Sequence, residues 1–154
     1  MSIKVILAAT CLMSCSGLPA MALDSDVSTP STLSPDAVWK KVGDFCGIAK
    51  WHPIIEKCTL SADGKERVLM AKGGATATER VEAWDDSARS YTYTIIGGNL
   101  PVANYHSTLS VKADAKGSVI RWVGKYDAKG APDADAKKLI DTIYDLGVKA
   151  LAQP

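Results

Sequence analysis

Hydrophobic and polar residues alternate through the middle of this chain, in long segments that are separated by pairs of Gly and Asp. The alternation, together with many β-branched and aromatic side chains, predicts antiparallel strands joined by short turns. Before these segments, residues 23–33 are rich in Ser and Thr and are expected to be a mobile start that leads into an edge strand. The six strands that the alternation predicts are residues 54–60, 65–71, 75–84, 89–96, 103–113 and 118–126.

Two short segments before the alternating region carry helical signals instead. Ser34 followed by Pro35 is the chemistry of a helix N-cap and first turn, and Gly43 is expected to end that helix. A second helical turn is predicted around residues 45–50, because Pro53 cannot continue a helix.

The last part of the chain has a single helical stripe. Pro132 begins it, and the apolar residues that follow recur at a spacing of three or four positions. Because only the sheet can cover such a stripe, the helix is predicted to lie across the concave face of the sheet. The fold class is therefore α+β, with six or seven antiparallel strands, two short helices and a long C-terminal helix. The stripe consists of Ala136, Leu139, Ile140, Ile143, Leu146, Gly147 and Ala150.

Residues 1–22 have the pattern of a signal peptide, with a basic start, an apolar run and an A-x-A site that ends at Ala22. We expect cleavage after Ala22 and export of residues 23–154, as one domain, to a bacterial periplasm. An alternative is a lipoprotein signal in which Cys15 is acylated. The mature chain is not expected to contain a membrane span.

The mature chain carries no net charge. The whole sequence has 18 basic and 17 acidic residues, and the predicted signal peptide removes one of the basic ones, Lys4. The remaining charges are scattered, so the chain lacks the basic surface that nucleic-acid binding requires. We therefore expect no nucleic acid among its partners.

Two cysteines follow Ala22, and eleven residues separate them. In an oxidising compartment the lone pair Cys46 and Cys58 is most simply a disulfide, which would contribute about 2–3 kcal/mol to stability. Two alternatives remain open. One is a buried free thiol, and the other is a metal site, although His52 has no partner histidine at a recognised ligand spacing. We predict no metal and no cofactor.

The order of elements and the residues together resemble the START-like superfamily, also called SRPBCC or polyketide cyclase/dehydrase and lipid-transport proteins. The resemblance covers nearly the whole mature chain and implies the helix-grip fold, which binds apolar or amphipathic molecules between a curved sheet and a long helix. It extends to bacterial MxaD-type accessory proteins of methanol dehydrogenase and, in the pocket strands, to plant abscisic-acid receptors. The matching segments include Val38-Trp39, Trp51-His52-Pro53, Glu79-Arg80-Val81, Tyr91-Thr-Tyr-Thr-Ile95, Asn104-Tyr-His-Ser107 and Leu100-Pro101.

The resemblance to the receptors implies a set of pocket residues. Glu79, Tyr105 and Ser107 fall where the receptors place polar pocket groups, and His52 falls where they have a lysine. Two other polar positions of the receptors fall on glycines here, Gly124 and Gly147, and the gate loop becomes residues 72–75, so recognition of the same hormone is not expected. His52 and Glu79 would then be the only chargeable groups lining the pocket. The expected ligand-binding set is His52, Glu79, Tyr93, Ile95, Tyr105, Ser107, Trp122, Leu139 and Ile143.

Strand alternation places Glu79 on the inner face of its strand and Arg80 on the solvent face. Glu79 is expected either to orient a ligand, with a pKa raised by burial, or to pair with a lysine or backbone amide across the sheet. His52 is expected either to contact the ligand or to be a packing and hydrogen-bonding residue. Gly124 is expected either to make room for a ligand or to let the sheet bend.

Three functions are compatible with these residues. The first is a periplasmic binding protein for a small hydrophobic or amphipathic molecule. The second is an accessory protein whose partner is a periplasmic dehydrogenase such as methanol dehydrogenase. The third is a cyclase- or hydrolase-like enzyme in which His52 and Glu79 act as acid and base, although the sequence has no nucleophile elbow, phosphate loop or H-E-x-x-H motif.

Overall fold

The computed structural model describes residues 22–154. They form a seven-stranded antiparallel sheet in the order β1-β7-β6-β5-β4-β3-β2, together with three helices. Apart from Ala22, the predicted signal peptide, including the alternative acylation site at Cys15, lies outside these residues. The strands are β1 (Leu23–Ser31), β2 (Ile55–Leu60), β3 (Glu66–Ala71), β4 (Thr76–Asp85), β5 (Ser90–Gly98), β6 (Val102–Asp114) and β7 (Gly117–Ala128), and the helices are α1 (Pro35–Val42), α2 (Ile48–Trp51) and α3 (Asp133–Ala152).

The alternating segments form the strands that their pattern predicts, and every boundary of the six lies within two residues of the prediction. The first segment differs from its expectation, because Leu23–Ser31 is a strand along its whole length and pairs with β7. The hydroxyl of Ser25 lies 2.6 Å from that of Tyr126, and Asp26 pairs with the guanidinium of Arg121. These contacts with β7 order a segment whose own composition is polar.

The two short helices are placed by the residues that begin and end them. The hydroxyl of Ser34 accepts a hydrogen bond from the amide of Ala37 at 3.2 Å, as an N-cap does. Gly43 ends α1 with a φ of 69°, a conformation that favours glycine. The second helix begins later than predicted and is a single turn, Ile48–Trp51, because residues 44–47 form turns.

Helix α3 lies on the concave face of the sheet and completes the core, which confirms the α+β helix-grip fold. Its buried line runs one position away from the predicted stripe, because Tyr144 and Val148 are fully buried while Leu139 is 37% exposed. Leu139 and Ile143 therefore lie at the edge of the contact with the sheet. The residues of α3 that are buried are Ala136, Ile140, Tyr144, Gly147, Val148, Leu151 and Ala152.

The predicted disulfide between Cys46 and Cys58 is present, with Cα atoms 5.6 Å apart. It joins the turn before α2 to strand β2, which is the edge strand of the sheet. Because His52 follows α2 directly, the bridge holds the segment containing His52 against the sheet. None of the helices within residues 22–154 has both the length and the apolar character needed to cross a membrane.

Removal of the disulfide should lower stability without changing the fold. We expect Cys46→Ser and Cys58→Ser each to reduce the free energy of unfolding by about 2–3 kcal/mol, because the bridge restricts a short loop of the unfolded chain. Urea denaturation with and without dithiothreitol measures this. Reductant should destabilise the wild-type protein and leave both variants unchanged, whereas two titratable thiols in the denatured, unreduced wild-type protein would contradict the prediction.

Candidate functional site

A pocket of about 190 Å³ lies between the concave face of the sheet and helix α3. Its floor is formed by inward-facing residues of strands β3 to β7, and its walls by α2, α3 and the turn between β3 and β4. Lys72, in that turn, and Leu139, on α3, are both exposed and mark the mouth. The apolar side chains of the lining include Ile48, Leu69, Ala77, Ile95, Leu100, Ile140 and Ile143.

A buried ion pair borders one side of the pocket. Arg67 on β3 and Glu79 on β4 face each other directly in the sheet register, and Arg67 Nε lies 2.6 Å from Glu79 Oε2. The guanidinium also donates to the carbonyl of Phe45 and lies 4.0 Å from the centre of the Phe45 ring. Arg67 is 1% exposed, so charge pairing and aromatic contact replace almost all of its hydration.

Burial and charge act in opposite directions on the two partners. Burial raises the pKa of the Glu79 carboxyl above its ordinary value, and the charge of Arg67 opposes that rise. For Arg67, burial is the largest single influence and acts to lower the pKa, but the charge and hydrogen bond of Glu79 together with Tyr91 and Tyr93 raise the pKa above its ordinary value. Because protonating Glu79 would leave a buried guanidinium without its counter-ion, the pair remains ionised near neutral pH.

The partner of Glu79 is an arginine, rather than the lysine or backbone amide that the sequence suggested. The signal was present in the alternation of β3, because Arg67 shares its face with the buried Leu69. The expectation that His52 and Glu79 are the only chargeable lining was also wrong. Lys72 borders the mouth, and Arg67 lies behind Glu79 without lining the pocket itself.

Two buried polar atoms of this region have no hydrogen-bond partner among residues 22–154, namely Arg67 Nη2 and the hydroxyl of Tyr91. The ring of Tyr91 lies 5.8 Å from the Arg67 guanidinium carbon, and that of Tyr93 lies 5.4 Å from it. The electron-rich ring faces, including that of Phe45, offset part of the missing hydrogen bond of the guanidinium.

A chain of buried hydroxyl groups borders the other side of the pocket. Tyr93 and Tyr105 have their hydroxyl oxygens 3.1 Å apart, and Tyr105 in turn contacts the hydroxyl of Tyr144. Tyr144 lies 2.8 Å from Ser107 Oγ, which donates to the carbonyl of Val123 at 2.7 Å. Burial raises the pKa of all three tyrosines, so their hydroxyl groups stay protonated.

The hydrogen bond from Ser107 to the carbonyl of Val123, at the end of the chain of hydroxyl groups, determines the direction of the other hydrogen bonds. A hydroxyl has one proton, and Ser107 uses its proton on a carbonyl, so Tyr144 must donate to Ser107. Tyr105 must then donate to Tyr144, and Tyr93 to Tyr105. Trp122 Nε1 shares its proton between Tyr93, at 3.2 Å, and Ser107, at 3.0 Å. Each proton in the chain of hydroxyl groups is thus used within the protein, and none is left for another acceptor.

Two glycines allow α3 to approach the sheet this closely. A Cβ atom on Gly124 would lie 2.3 Å from the hydroxyl oxygen of Tyr144, and one on Gly147 would lie 2.6 Å from Cζ3 of Trp122. The rings of Trp122 and Tyr144 stack at 4.7 Å with 5° between their planes. Gly124 therefore makes room for the Tyr144 side chain of α3, which neither expectation from the sequence named.

His52 lines the pocket but is held by the protein. Its Nε2 lies 3.0 Å from the carbonyl oxygen of Ile143, so this nitrogen carries the proton. The amide of Ile54 donates to Nδ1 over a long distance of 3.5 Å. Burial lowers the pKa of His52, and the neutral ring is the form present near neutral pH. The alternative of a packing and hydrogen-bonding residue therefore describes its contacts.

The structure brings together eight of the nine residues predicted to bind a ligand. Ser107 is the exception, because the stacked rings of Trp122 and Tyr144 cover it and its hydroxyl is used in the chain of hydroxyl groups. Both groups proposed as an acid–base pair have structural partners, since His52 bonds to Ile143 and Glu79 to Arg67. The eight that line the pocket are His52, Glu79, Tyr93, Ile95, Tyr105, Trp122, Leu139 and Ile143.

Loss of one member of the buried ion pair should be costly. We expect Glu79→Ala to reduce the free energy of unfolding by about 3–5 kcal/mol, because Arg67 is left as an unpaired buried charge. The neighbouring pair of Arg80 and Glu66 joins the same two strands on the solvent face, at 2.8 Å, and provides a matched control. We expect Arg80→Ala to cost at most about 1 kcal/mol. The free energy of unfolding is measured by denaturation with guanidinium chloride. Similar losses in the two variants would contradict a special role for the buried pair.

Addition of a methyl group at Gly124 should break the chain of hydroxyl groups. We expect Gly124→Ala to cost about 1–3 kcal/mol, because the new Cβ displaces the hydroxyl of Tyr144. Tyr144→Phe removes that hydroxyl, so the double variant should lose less than the sum of the two single variants in a double-mutant cycle. Gly97→Ala is the control, since a Cβ there meets Thr78 at an ordinary 3.5 Å. Additive losses at Gly124 and Tyr144 would show that the two groups do not compete for space.

The family model described as "Polyketide cyclase / dehydrase and lipid transport" matches residues 23–153. Two abscisic acid receptors of Arabidopsis thaliana are similar in sequence. PYL7 is 38% identical over 80 aligned positions, and the match covers 48% of this chain and 38% of the receptor. PYL2 is 27% identical over 128 aligned positions, and the match covers 74% of this chain and 67% of the receptor. The chain thus spans well under half the length of the first receptor and about two thirds of the second.

Solved structures extend the likeness to bacterial proteins. The structure of the protein XoxI from Bacillus cereus has a TM-score of 0.78 and 34% sequence identity, and the match covers 86% of this chain and 93% of that one. The match to the family model includes every helix and strand described above. This chain therefore belongs to the polyketide cyclase/dehydrase and lipid-transport family.

Proposed function

We propose that this chain is a periplasmic binding protein for a small hydrophobic or amphipathic molecule, held in the pocket between the sheet and α3. The pocket itself is the observation that carries the proposal. Protein interiors are close-packed and leave few voids larger than one water molecule. A space of about 190 Å³ in the middle of this core has the volume of roughly six waters in the liquid.

The lining of the pocket favours an organic occupant over water. Aliphatic side chains of α2, β3, β5 and α3 form most of the wall, and such walls give a water cluster few hydrogen bonds. The few polar groups are concentrated on two sides, at Glu79 and at the tyrosine pair of Tyr93 and Tyr105. Apolar walls with a few placed polar groups are the usual composition of a small-molecule site.

Two further features support the periplasmic location. The disulfide between Cys46 and Cys58 is a kind of bond that persists in oxidising compartments and is rare in the cytosol. The sequence before Leu23 has the pattern of a signal peptide that ends at Ala22. Membership of a family whose description includes lipid transport also agrees with a hydrophobic ligand.

As a second candidate, we propose that the outer face of the sheet contacts a periplasmic redox enzyme such as methanol dehydrogenase. Large apolar side chains are exposed on this face, where Val68 is 48% exposed and Met70 is 45% exposed. Both belong to β3 and alternate with inward-facing residues, and Ile96 on β5 is also exposed. Exposed large apolar side chains that share one face of a sheet support a protein contact there.

Native mass spectrometry of the protein purified from the periplasm of its source tests both candidates. We expect the wild-type protein to carry one small molecule per chain. Ala77→Leu adds volume inside the pocket and should abolish the bound mass, because Ala77 is part of the lining. Val68→Ser, on the opposite face of the sheet, is the matched control and should retain the bound mass while weakening any complex with a redox enzyme.

The same measurement can contradict either candidate separately. A bound mass that is unchanged in Ala77→Leu would place the molecule outside the pocket. No bound mass, together with no binding of any member of a panel of small aromatic and aliphatic compounds, would contradict the binding function. An enzyme complex that survives Val68→Ser and Met70→Ser would remove the outer face of β3 as its contact surface.

A further inference from the structure

We propose that the pocket selects a neutral, ring-sized molecule with a hydroxyl group, a phenol or small cyclic alcohol, which donates its proton to Glu79, and that it excludes carboxylic acids of the same size. This inference rests on the proposed binding function and specifies the class of ligand. It follows from the volume of the pocket, the direction of its hydrogen bonds and the arrangement of its charges.

The volume limits the ligand to about one ring. A cavity of about 150 Å³ with aliphatic and aromatic walls is sufficient for benzene. Sites for drug-sized ligands usually measure about 300–1,000 Å³. At about 190 Å³, this pocket accommodates a six-membered ring with one or two small substituents, and it is too small for a long acyl chain.

Among residues 22–154, the side chains that line the interior of the pocket offer acceptors and no free donor. Tyr93 and Tyr105 use their protons within the chain of hydroxyl groups, and His52 uses its Nε2 proton on Ile143. Trp122 shares its proton between Tyr93 and Ser107. Thr76 also borders the pocket, but alternation along β4 places its side chain on the face opposite to Glu79.

Glu79 is the acceptor that remains available. Its Oε2 receives the hydrogen bond from Arg67, while no hydrogen bond from residues 22–154 reaches Oε1. Glu79 lines the pocket and Arg67 does not, so the carboxylate is the member of the ion pair that the ligand meets. A hydroxyl proton directed at this carboxylate would form a charge-assisted hydrogen bond, which is stronger than one between neutral groups.

The same arrangement disfavours an acid. A carboxylate ligand would lose its hydration in an apolar pocket and would meet the charge of Glu79 before that of Arg67. Lys72 is the one other charged side chain in the described lining, and it is exposed at the mouth, where water screens its charge. A cationic ligand gains little, because Arg67 already neutralises Glu79.

Isothermal titration calorimetry with four ring compounds at pH 7 tests the proposal on the wild-type chain. Phenol and toluene have the same shape and differ in the hydroxyl proton, and benzyl alcohol and benzoate differ chiefly in charge. We expect phenol to bind at least about ten-fold more tightly than toluene, since the bond goes to a charged acceptor. Benzyl alcohol should exceed benzoate by on the order of ten-fold or more.

A double variant tests whether Glu79 is the group that binds the ligand hydroxyl. Arg67→Met combined with Glu79→Leu removes both charges together, so neither is left unpaired. We expect phenol and toluene to bind this variant with equal affinity, while toluene retains its wild-type affinity within about three-fold. The matched control is Glu66→Leu combined with Arg80→Met, which removes the exposed ion pair on the solvent face of the same two strands and should leave the phenol-to-toluene ratio unchanged.

The outcomes separate this inference from the binding function. Binding of toluene or benzoate as tight as that of the matching alcohol would overturn the hydroxyl selection and leave the binding function standing. Failure of all four compounds to bind, with no chemical-shift change at the pocket residues in two-dimensional NMR spectra, would overturn both. The order of the four affinities measured on the wild-type protein tests the hydroxyl selection even where the double variant fails to fold.

Discussion

The close approach of helix α3 to the concave face of the sheet is the constraint on which the rest of the structure depends. The helix must cover the inner face of the sheet, yet that face carries buried tyrosine, tryptophan and serine side chains that need hydrogen-bond partners. Gly124 and Gly147 remove the side chains that would hold the layers apart, so that Tyr144 reaches the sheet. The hydroxyl of Tyr144 then joins Tyr105 and Ser107 of β6, and Nε1 of Trp122 closes the network by donating to Tyr93 and Ser107.

The pocket remains open because two polar structures limit how far the core can contract around it. On one side, the chain of hydroxyl groups fixes the rings of Tyr93 and Tyr105 at definite distances. On the other, the pair of Arg67 and Glu79 is anchored to the carbonyl of Phe45, next to the disulfide at Cys46. Movement of either side into the space would break buried hydrogen bonds, and each buried group left without a partner would cost about 1–3 kcal/mol.

The two polar structures also give the pocket its chemical character. The chain of hydroxyl groups consumes its protons internally, and His52 and Trp122 of the lining also donate to acceptors of the protein. The space between them is therefore apolar with acceptors at its edge, and the charged groups near it form a neutral pair. This character differs from what the resemblance to hormone receptors suggested, because a buried neutral histidine stands at the position of their lysine and, within the described lining, the one cation, Lys72, is exposed at the mouth.

Local rules in the sequence determined the elements of this protein and the face on which most side chains lie. Alternation with a period of two placed Glu79, Tyr105 and Ser107 inward and Arg80 outward, and capping residues set the ends of the first helix. Only the tertiary structure decided which inward residues meet across layers. The pairing of Arg67 with Glu79, the covering of Ser107 and the use of Gly124 by Tyr144 depend on strand register and on the position of α3 along the sheet. Periodicity specifies the direction of a side chain, whereas its partner is set by the packing of elements that are distant in the chain.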